Sequence, residues 1–217
     1  MLLPNHVTNI IRARTEVIHH VLTEHGVDFE RVIPMPENVI RHGTGHANID
    51  GVYQRVYYPD TPDPDNPGKL LRAKPVPFPE GAIDWYEWSI EHWGTKWNAY
   101  ETRTDEDDTI VEFETAWSHP FPVLDALSAA FPTEPMLVAW ADEDLGSNFG
   151  AYYLLNSERM WLSTPEENTA AGADFACVIK YRCHYSDLDS DEQYRAFTLA
   201  EVIAHLLHLE TEVPNGA

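Results

Sequence analysis

Two apolar segments joined by a short polar turn limit the fold of this chain more than any other feature of its sequence. Residues 136–141 and 150–155 are strand-like, and the stretch 142–148 between them contains three acidic residues, a serine and an asparagine. Antiparallel neighbours are joined by short turns, whereas parallel neighbours need a crossover of about a dozen residues or more. The chain is therefore expected to contain an antiparallel sheet.

Strand and helix patterns alternate along the rest of the chain. Runs of β-branched or alternating apolar residues predict strands, and apolar residues three or four positions apart predict helices. The predicted strands are 6–13, 97–103, 110–117, 136–141, 150–155 and 175–182. The predicted helices follow Thr15 as N-cap, span 82–93, open at Pro120 and Pro122, and begin near Leu199. This order favours an α+β fold with one mainly antiparallel sheet and helices packed on one face.

Three segments carry more detailed expectations. The strand 110–117 is predicted to be half-buried, with Glu112 and Glu114 on the opposite face from its apolar residues. Residues 41–80 are predicted to be a long insertion, mostly an exposed loop, because the stretch 59–68 contains four prolines; its flank 51–58 can form an extra strand. The helix 82–93 is predicted to bury one face, made by Ile83, Tyr86, Ile90 and Trp93.

Several motifs resemble those of a known family. The most specific is Trp93-Gly94-Thr95-Lys96-Trp97-Asn98-Ala99-Tyr100, and the others are the stretches 4–9, 29–37, 113–118 and 141–148. On these stretches the chain resembles the YubB-like proteins, phage- and plasmid-encoded proteins of unknown function that carry a ferredoxin-like domain. His119 departs from the family pattern, in which a second proline often follows the Trp-Ser pair.

The resemblance implies a ferredoxin-like α/β sandwich, with residues 1–217 forming a single domain. Its core would be about 4–40 and 81–156, with the proline-rich insertion at 41–80 and a C-terminal β-α extension at 157–217. The family supplies no catalytic residues. No iron–sulfur cluster and no other cofactor is expected, because a cluster needs about four Cys thiolates and the chain has two Cys.

The charge of the chain limits the partners it can bind. The formal net charge is −22, and residues 101–217 carry 5 basic and 23 acidic side chains. Binding to nucleic acid through phosphates requires a basic footprint, so direct nucleic-acid binding is not expected. The acidic surface either keeps the protein soluble or meets a basic partner. No apolar run approaches the ~20 residues that cross a bilayer, so a cytoplasmic protein without membrane association is expected.

The candidate binding residues combine a tryptophan-rich turn with an acidic run. They are Trp93, Gly94, Thr95, Lys96, Trp97, Trp117, Asp142, Glu143 and Asp144. The turn, beside Trp117 and Trp140, is either an aromatic pocket with Lys96 as its charged group or part of a core. The acidic run either binds a divalent cation or forms a solvated hairpin; because it lacks the spacing of a calcium loop, no metal site is assigned.

Common catalytic signatures are missing from the chain: a nucleophile elbow, a zincin motif, a P-loop and a dinucleotide-binding loop.

The leading hypothesis is a non-enzymatic accessory protein of a mobile element. It would bind a host or element-encoded protein, and its carboxylates would imitate the phosphates of nucleic acid. The alternative is a small-molecule or metal-dependent enzyme with a pocket at 93–97. The helix near Leu199 either supports self-association or completes the core.

Overall fold

The computed structural model describes residues 5–66, 68–71, 73–188 and 196–211. The chain divides into two compact units, Met1–Pro34 with His92–Ala217, and Met35–Glu91. The predicted insertion, 41–80, lies inside the second unit, whose bounds are wider. The assignment of 1–217 to a single domain stays a prediction.

The first unit is built on a six-stranded sheet with helices. Short strands at Leu22–Thr23 and Gly26–Val27 and 3-10 turns at Phe29–Arg31 and Tyr185–Asp187 accompany it. In chain order, the main elements are β1 (His6–Arg12), α1 (Thr15–Val21), β2 (Tyr100–Thr104), β3 (Ile110–Ala116), α2 (Phe121–Ala130), β4 (Met136–Asp142), β5 (Phe149–Leu155), β6 (Glu158–Trp161), α3 (Ala170–Tyr181) and α4 (Leu199–Thr211).

The strand order identifies the fold. The sheet runs β2-β3-β1-β4-β5-β6, and every neighbouring pair is antiparallel. Its first part is a β1-α1-β2-β3-α2-β4 unit in which β3 and β4, joined by α2, flank β1. This split βαβ arrangement is the ferredoxin-like topology. The predicted ferredoxin-like sandwich is confirmed, and the hairpin β5-β6 extends its sheet at one edge.

Both faces of the sheet are covered. Ile10 stands opposite Ala139 and belongs to a core with side chains of α3 and α4, among them Phe175, Ile179 and Leu206. The other face carries Tyr152, whose ring stacks on Phe121 of α2, and α1 lies beside α2, where His20 meets Phe131. The helices were expected on one face of the sheet, but the two helices of the ferredoxin-like unit are joined by two further helices on the opposite face.

This second layer explains one wrong prediction. The strand β3 was expected to be half-buried, but Glu112 on its supposedly exposed face is 4% exposed. Its Oε1 accepts a hydrogen bond from Arg103 Nη1 at 2.8 Å, and its Oε2 lies 4.0 Å from Arg182 Nε. Helices from the end of the chain cover this face of the sheet. The alternation of residues within one strand cannot predict that such a layer will be present.

The predicted strand at 175–182 is also wrong, because residues 175–181 belong to the helix α3 and Arg182 is its C-cap. Phe175, Ala176, Cys177, Val178 and Ile179 form an unbroken buried run, which has no clear period and so suits a covered strand as well as a helix. The helix is specified upstream, where the hydroxyl of Thr169 accepts a hydrogen bond from Gly172 N–H at 3.0 Å. The C-terminal extension is therefore a strand followed by two helices.

The second unit contains a regular hairpin where a loop was expected. Strands Gly43–Ile49 and Val52–Tyr58 pair in antiparallel register, and Val76–Pro77 adds a third strand. Asp50 and Gly51 form the two-residue turn with φ of 51° and 86°, the Asp-Gly signature of such hairpins. The remaining elements are Val39–Ile40 paired with Ile83–Asp84, Thr61–Pro62 paired with Leu70–Leu71, and the helix Trp85–His92.

The helix Trp85–His92 is shorter than predicted, and the predicted buried face is largely wrong. Trp93 is buried, but Ile83, Tyr86 and Ile90 are each 38 to 40% exposed, whereas Trp88 is buried. A spacing of three and four identifies a helix but does not decide which side chains its tertiary neighbours cover.

Candidate functional site

The turn at 93–97 is anchored to the core of the first unit. Trp93 is 4% exposed, and its Nε1–H donates to the carbonyl oxygen of Ile33 at 2.9 Å. The buried hydroxyl of Thr95 donates to the carbonyl oxygen of Ala116, at the end of β3, at 2.7 Å. Gly94 has φ 77°, and a Cβ there would lie 2.7 Å from Cδ of Pro122. Trp93, Gly94 and Thr95 therefore have structural roles.

Lys96 lies between two indole rings. Its Nζ is 4.6 Å from the ring centroid of Trp97 and 4.5 Å from that of Trp117, and the residue is 7% exposed. Each contact lies within the distance of a cation–π interaction. The predicted association of the turn with Trp117 is thus present as a lysine held between tryptophans.

Trp117 combines exposure with an unusual backbone conformation. The residue is 37% exposed and has φ 72°. A bulky residue at positive φ is an outlier; such a conformation costs about 1 to 3 kcal/mol and persists only where the surrounding structure enforces it. Here the N–H of Trp117 donates to the carbonyl oxygen of Asn5 at 2.9 Å. The fold therefore holds a tryptophan with a strained backbone and a partly exposed side chain at the end of β3.

The acidic run at the end of β4 is connected to Trp117. Asp142 is buried; its Oδ1 accepts hydrogen bonds from Asn5 Nδ2 and Asp144 N–H, and its Oδ2 accepts from Asn148 Nδ2. Asn148 Nδ2 also lies 3.5 Å from the carbonyl oxygen of Trp117. Asp142 therefore fixes the hairpin, while Glu143 and Asp144 are exposed.

These residues form a surface where β1 begins and β3 and β4 end. We call it the tryptophan end and define it as Trp97, Trp117, Glu143, Asp144 and Asn148. Residues brought near it through the fold include Tyr100, whose hydroxyl is 2.7 Å from His6 Nδ1 and whose ring contacts Trp97. Burial, reinforced by the charge of Glu114, raises the pKa of Tyr100 to about 12, so the phenol stays protonated.

Trp140 was expected near the same turn but packs around His119. The two rings stack with centroids 4.6 Å apart. His119 Nδ1 lies 2.6 Å from Asn9 Oδ1, and Nε2 lies 2.8 Å from the hydroxyl of Tyr152. Because the Asn9 amide oxygen accepts, Nδ1 donates and Nε2 accepts from Tyr152. Burial, assisted by the charge of Arg159, lowers the pKa of His119 well below its usual value.

Sequence reasoning did not identify this histidine network. His119 appeared in the sequence as a departure from a family pattern, and its partners are 33 and 110 positions away. Both ring nitrogens are engaged within the core, so the arrangement supports packing instead of proton transfer to a ligand.

The arrangement of charge follows from the ion pairs of the first unit. The four basic side chains that the structure describes in 101–217 each lie within 4.0 Å of a carboxylate: Arg103 and Arg182 near Glu112, Arg159 near Asp125, and Lys180 near Glu114. Exposed carboxylates such as Glu106, Asp107 and Glu143 are left without compensation from these cations. The surface is therefore strongly acidic.

No helix within the described ranges is long and apolar enough to cross a membrane. Within the same ranges, no group of three or more His, Cys, Asp or Glu side chains is arranged to hold a metal ion. Within the first unit, Sγ of Cys177 lies 3.6 Å from Sγ of Cys183.

Fold and geometry thus define a ferredoxin-like domain with an acidic, tryptophan-bearing end. Residues 96–181 match a family model described as the ferredoxin-like domain in Api92-like protein. The match begins at Lys96, inside the tryptophan-rich turn, and ends with α3, so it covers less than half of the chain. Neither the search of curated proteins nor the search of solved structures finds a match.

Proposed function

We propose that this protein is a non-enzymatic binding module whose tryptophan end docks on a basic protein. The observation that carries the proposal is Trp117, which is held at φ 72° yet remains 37% exposed. Strained backbone is retained at positions where a surrounding structure enforces it, and such positions cluster at functional sites. Exposed aromatic side chains provide large contact area, and tryptophan is enriched among the residues that dominate binding energy.

The charges beside Trp117 define the chemistry of the partner. Glu143 and Asp144 are exposed on the loop that Asp142 fixes, and Lys96 already occupies part of the ring surface of Trp117. A lysine or arginine of a partner can pack on the exposed part of the indole and pair with these carboxylates. The acidic surface around them steers a basic partner toward this end.

As a narrower proposal, the protein is a YubB-like accessory protein of a phage or plasmid, acting in the cytoplasm as a mimic of nucleic acid. The family resemblance and the excess of 36 acidic over 14 basic side chains support it. The two cysteines, Cys177 and Cys183, are buried and not joined by a disulfide, which fits a reducing compartment. The partner would be a nucleic-acid-binding protein of the host or of the mobile element.

The test is capture of partners from host lysate by the tagged protein at about 0.1 M and about 1 M NaCl, between which the Debye length falls from about 10 to about 3 Å. We expect a basic nucleic-acid-binding protein at low salt that is lost at high salt. Capture should decrease with Trp117→Gly, which keeps the positive φ without strain, and with the double change Glu143→Gln and Asp144→Asn.

Matched controls separate the site from general acidity. Trp161→Ala removes another exposed tryptophan, 59% exposed on β6, and the double change Glu106→Gln and Asp107→Asn removes two charges from the turn between β2 and β3. Neither control should reduce capture by as much as the variants of the tryptophan end. Equal loss in all variants would contradict a specific site, and capture that persists unchanged at high salt would contradict electrostatic mimicry.

The alternative of an enzyme with a pocket at 93–97 receives less support from the geometry. Trp93 and Thr95 are buried and hydrogen-bonded to backbone carbonyl groups, and Lys96 lies between two rings. The oxygens of Asp142 already accept three hydrogen bonds, which leaves little capacity for a metal ion.

A further inference from the structure

A cleft of about 430 Å³ opens at the other end of β1, away from the tryptophan end. Its volume falls within the range of small-molecule sites, which is about 300 to 1,000 Å³. The lining includes two arginines, one carboxylate and an apolar floor, contributed by Arg12, Arg14, Glu134, Pro135, Leu137 and Tyr153.

The sheet register explains why these groups meet. Arg12 is the last residue of β1 and stands opposite Leu137 on β4, which in turn stands opposite Tyr153 on β5. Residues directly opposite each other in antiparallel strands share one face of the sheet. A cationic side chain, an aliphatic one and an aromatic one therefore lie in a row on this face, across three rigid strands.

The two arginines differ in their partners. Arg14 Nη1 contacts Glu134 Oε1 at 3.0 Å, and its Nη2 lies 3.8 Å from Glu16 Oε2. The guanidinium of Arg12 forms no ion pair or hydrogen bond with any residue that the structure describes, and the residue is exposed. In a chain with 36 acidic and 14 basic side chains, an arginine without a carboxylate partner on a cleft wall is available for an external anion.

We propose that this cleft binds a small organic anion, a single carboxylate or phosphate group carried on a compact apolar body. The planar guanidinium of Arg12 suits bidentate contact with either group, and Leu137, Pro135 and Tyr153 suit the apolar body. Glu134 lines the same cleft, and Thr109, also in its wall, hydrogen-bonds Asp105 at 2.7 Å. These carboxylates disfavour a polyanion such as nucleic acid.

The test is titration of the ¹⁵N-labelled protein with phenyl phosphate, benzoate, inorganic phosphate and benzyl alcohol, followed by NMR. We expect saturable shifts at Arg12, Thr109 and Tyr153 with phenyl phosphate or benzoate, and at least about tenfold weaker binding of inorganic phosphate and benzyl alcohol. The stronger of the two organic probes identifies the anionic group. Tenfold corresponds to about 1.4 kcal/mol, which is within the range for one apolar group or one charge-assisted contact.

Variants assign the binding to Arg12. Arg12→Gln should weaken the better probe about tenfold or more, and Arg12→Lys, which keeps the charge without the planar fork, should give an intermediate affinity. The control Arg31→Gln changes an arginine of the same unit whose Nε donates to the carbonyl oxygen of His20, and it should leave the affinity unchanged. Binding that survives Arg12→Gln, equal affinity for inorganic phosphate, or no saturable shift with either organic probe would overturn the proposal.

Discussion

His119 illustrates at the residue scale how a polar side chain becomes part of the core. Its two ring nitrogens bind Asn9 and Tyr152, and its ring stacks on Trp140. A buried polar group is tolerated when its hydrogen bonds are made. If His119 were charged, its Nε2 would carry a proton and could not accept the hydrogen bond from Tyr152. This agrees with the lowered pKa of His119.

The lowered pKa of His119 predicts a pH dependence of stability. Below about pH 6.5 the unfolded chain protonates this histidine, whereas the folded protein does not. The unfolded state then binds more protons, so the free energy of unfolding falls as the pH drops below 6.5, by at most about 1.4 kcal/mol per pH unit from this group. Above about pH 6.5 the histidine is neutral in both states, so this loss of stability is absent.

Urea unfolding between about pH 7.5 and about pH 5.5 measures this effect, in the pH range where a histidine of ordinary pKa titrates. The stability of His119→Gln relative to wild type should improve as the pH falls, because the variant lacks the titrating group. His25→Gln is the control, since the His25 side chain is 87% exposed, and it should follow the wild-type slope. Parallel curves for wild type and His119→Gln would contradict the prediction.

The helix α3 shows, at the element scale, that a local pattern can leave the choice between strand and helix undecided. Its buried run of five residues gave no period, while the capping signal at Thr169 is a single hydrogen bond to Gly172. By contrast, α4 was predicted from Leu199, Val202, Ile203 and Leu206, and these side chains are all buried in the core beneath α3 and α4. The sequence left open whether this apolar stripe supports self-association or completes the core. In the structure it completes the core.

The cap of α3 can be tested by substitution. Thr169→Ala should lower the free energy of unfolding by about 1 kcal/mol, since it removes the acceptor of the Gly172 N–H. The control is Thr133→Ala, because Thr133 is exposed and its side chain forms no hydrogen bond with a described residue. Urea denaturation followed by far-UV circular dichroism measures both variants. If both lose the same stability, a helix start at Thr169 is not supported.

The excess of negative charge acts on the whole molecule. Ion pairs with the four cations of 101–217 neutralise a few carboxylates, but the formal charge of −22 remains. Like charges in a compact state repel one another, and salt screens this repulsion. The folded protein should therefore gain stability when salt is added.

We expect the Tm to rise by a few degrees between about 0.01 M and about 0.1 M NaCl, over which the Debye length falls from about 30 to about 10 Å. Differential scanning calorimetry measures this shift. The matched control is a variant with Glu106→Gln, Asp107→Asn, Glu143→Gln and Asp144→Asn, which should show a smaller rise. A Tm that falls with salt would mean that ion pairs such as Lys180 with Glu114 outweigh the repulsion.

The sequence by itself determined the α+β class and the mainly antiparallel sheet, because hairpin turns, alternation and helical spacing are local properties, whereas the ferredoxin-like arrangement was expected from a family resemblance. It also indicated that Trp97, Lys96 and Trp117 belong together. The tertiary structure alone decided that Glu112 is buried, that His119 joins Asn9 to Tyr152, and that Arg12 faces a cleft with Tyr153. These outcomes depend on contacts between distant positions, such as the 110 residues between Asn9 and His119, and no local pattern encodes which distant side chain will cover or bond another.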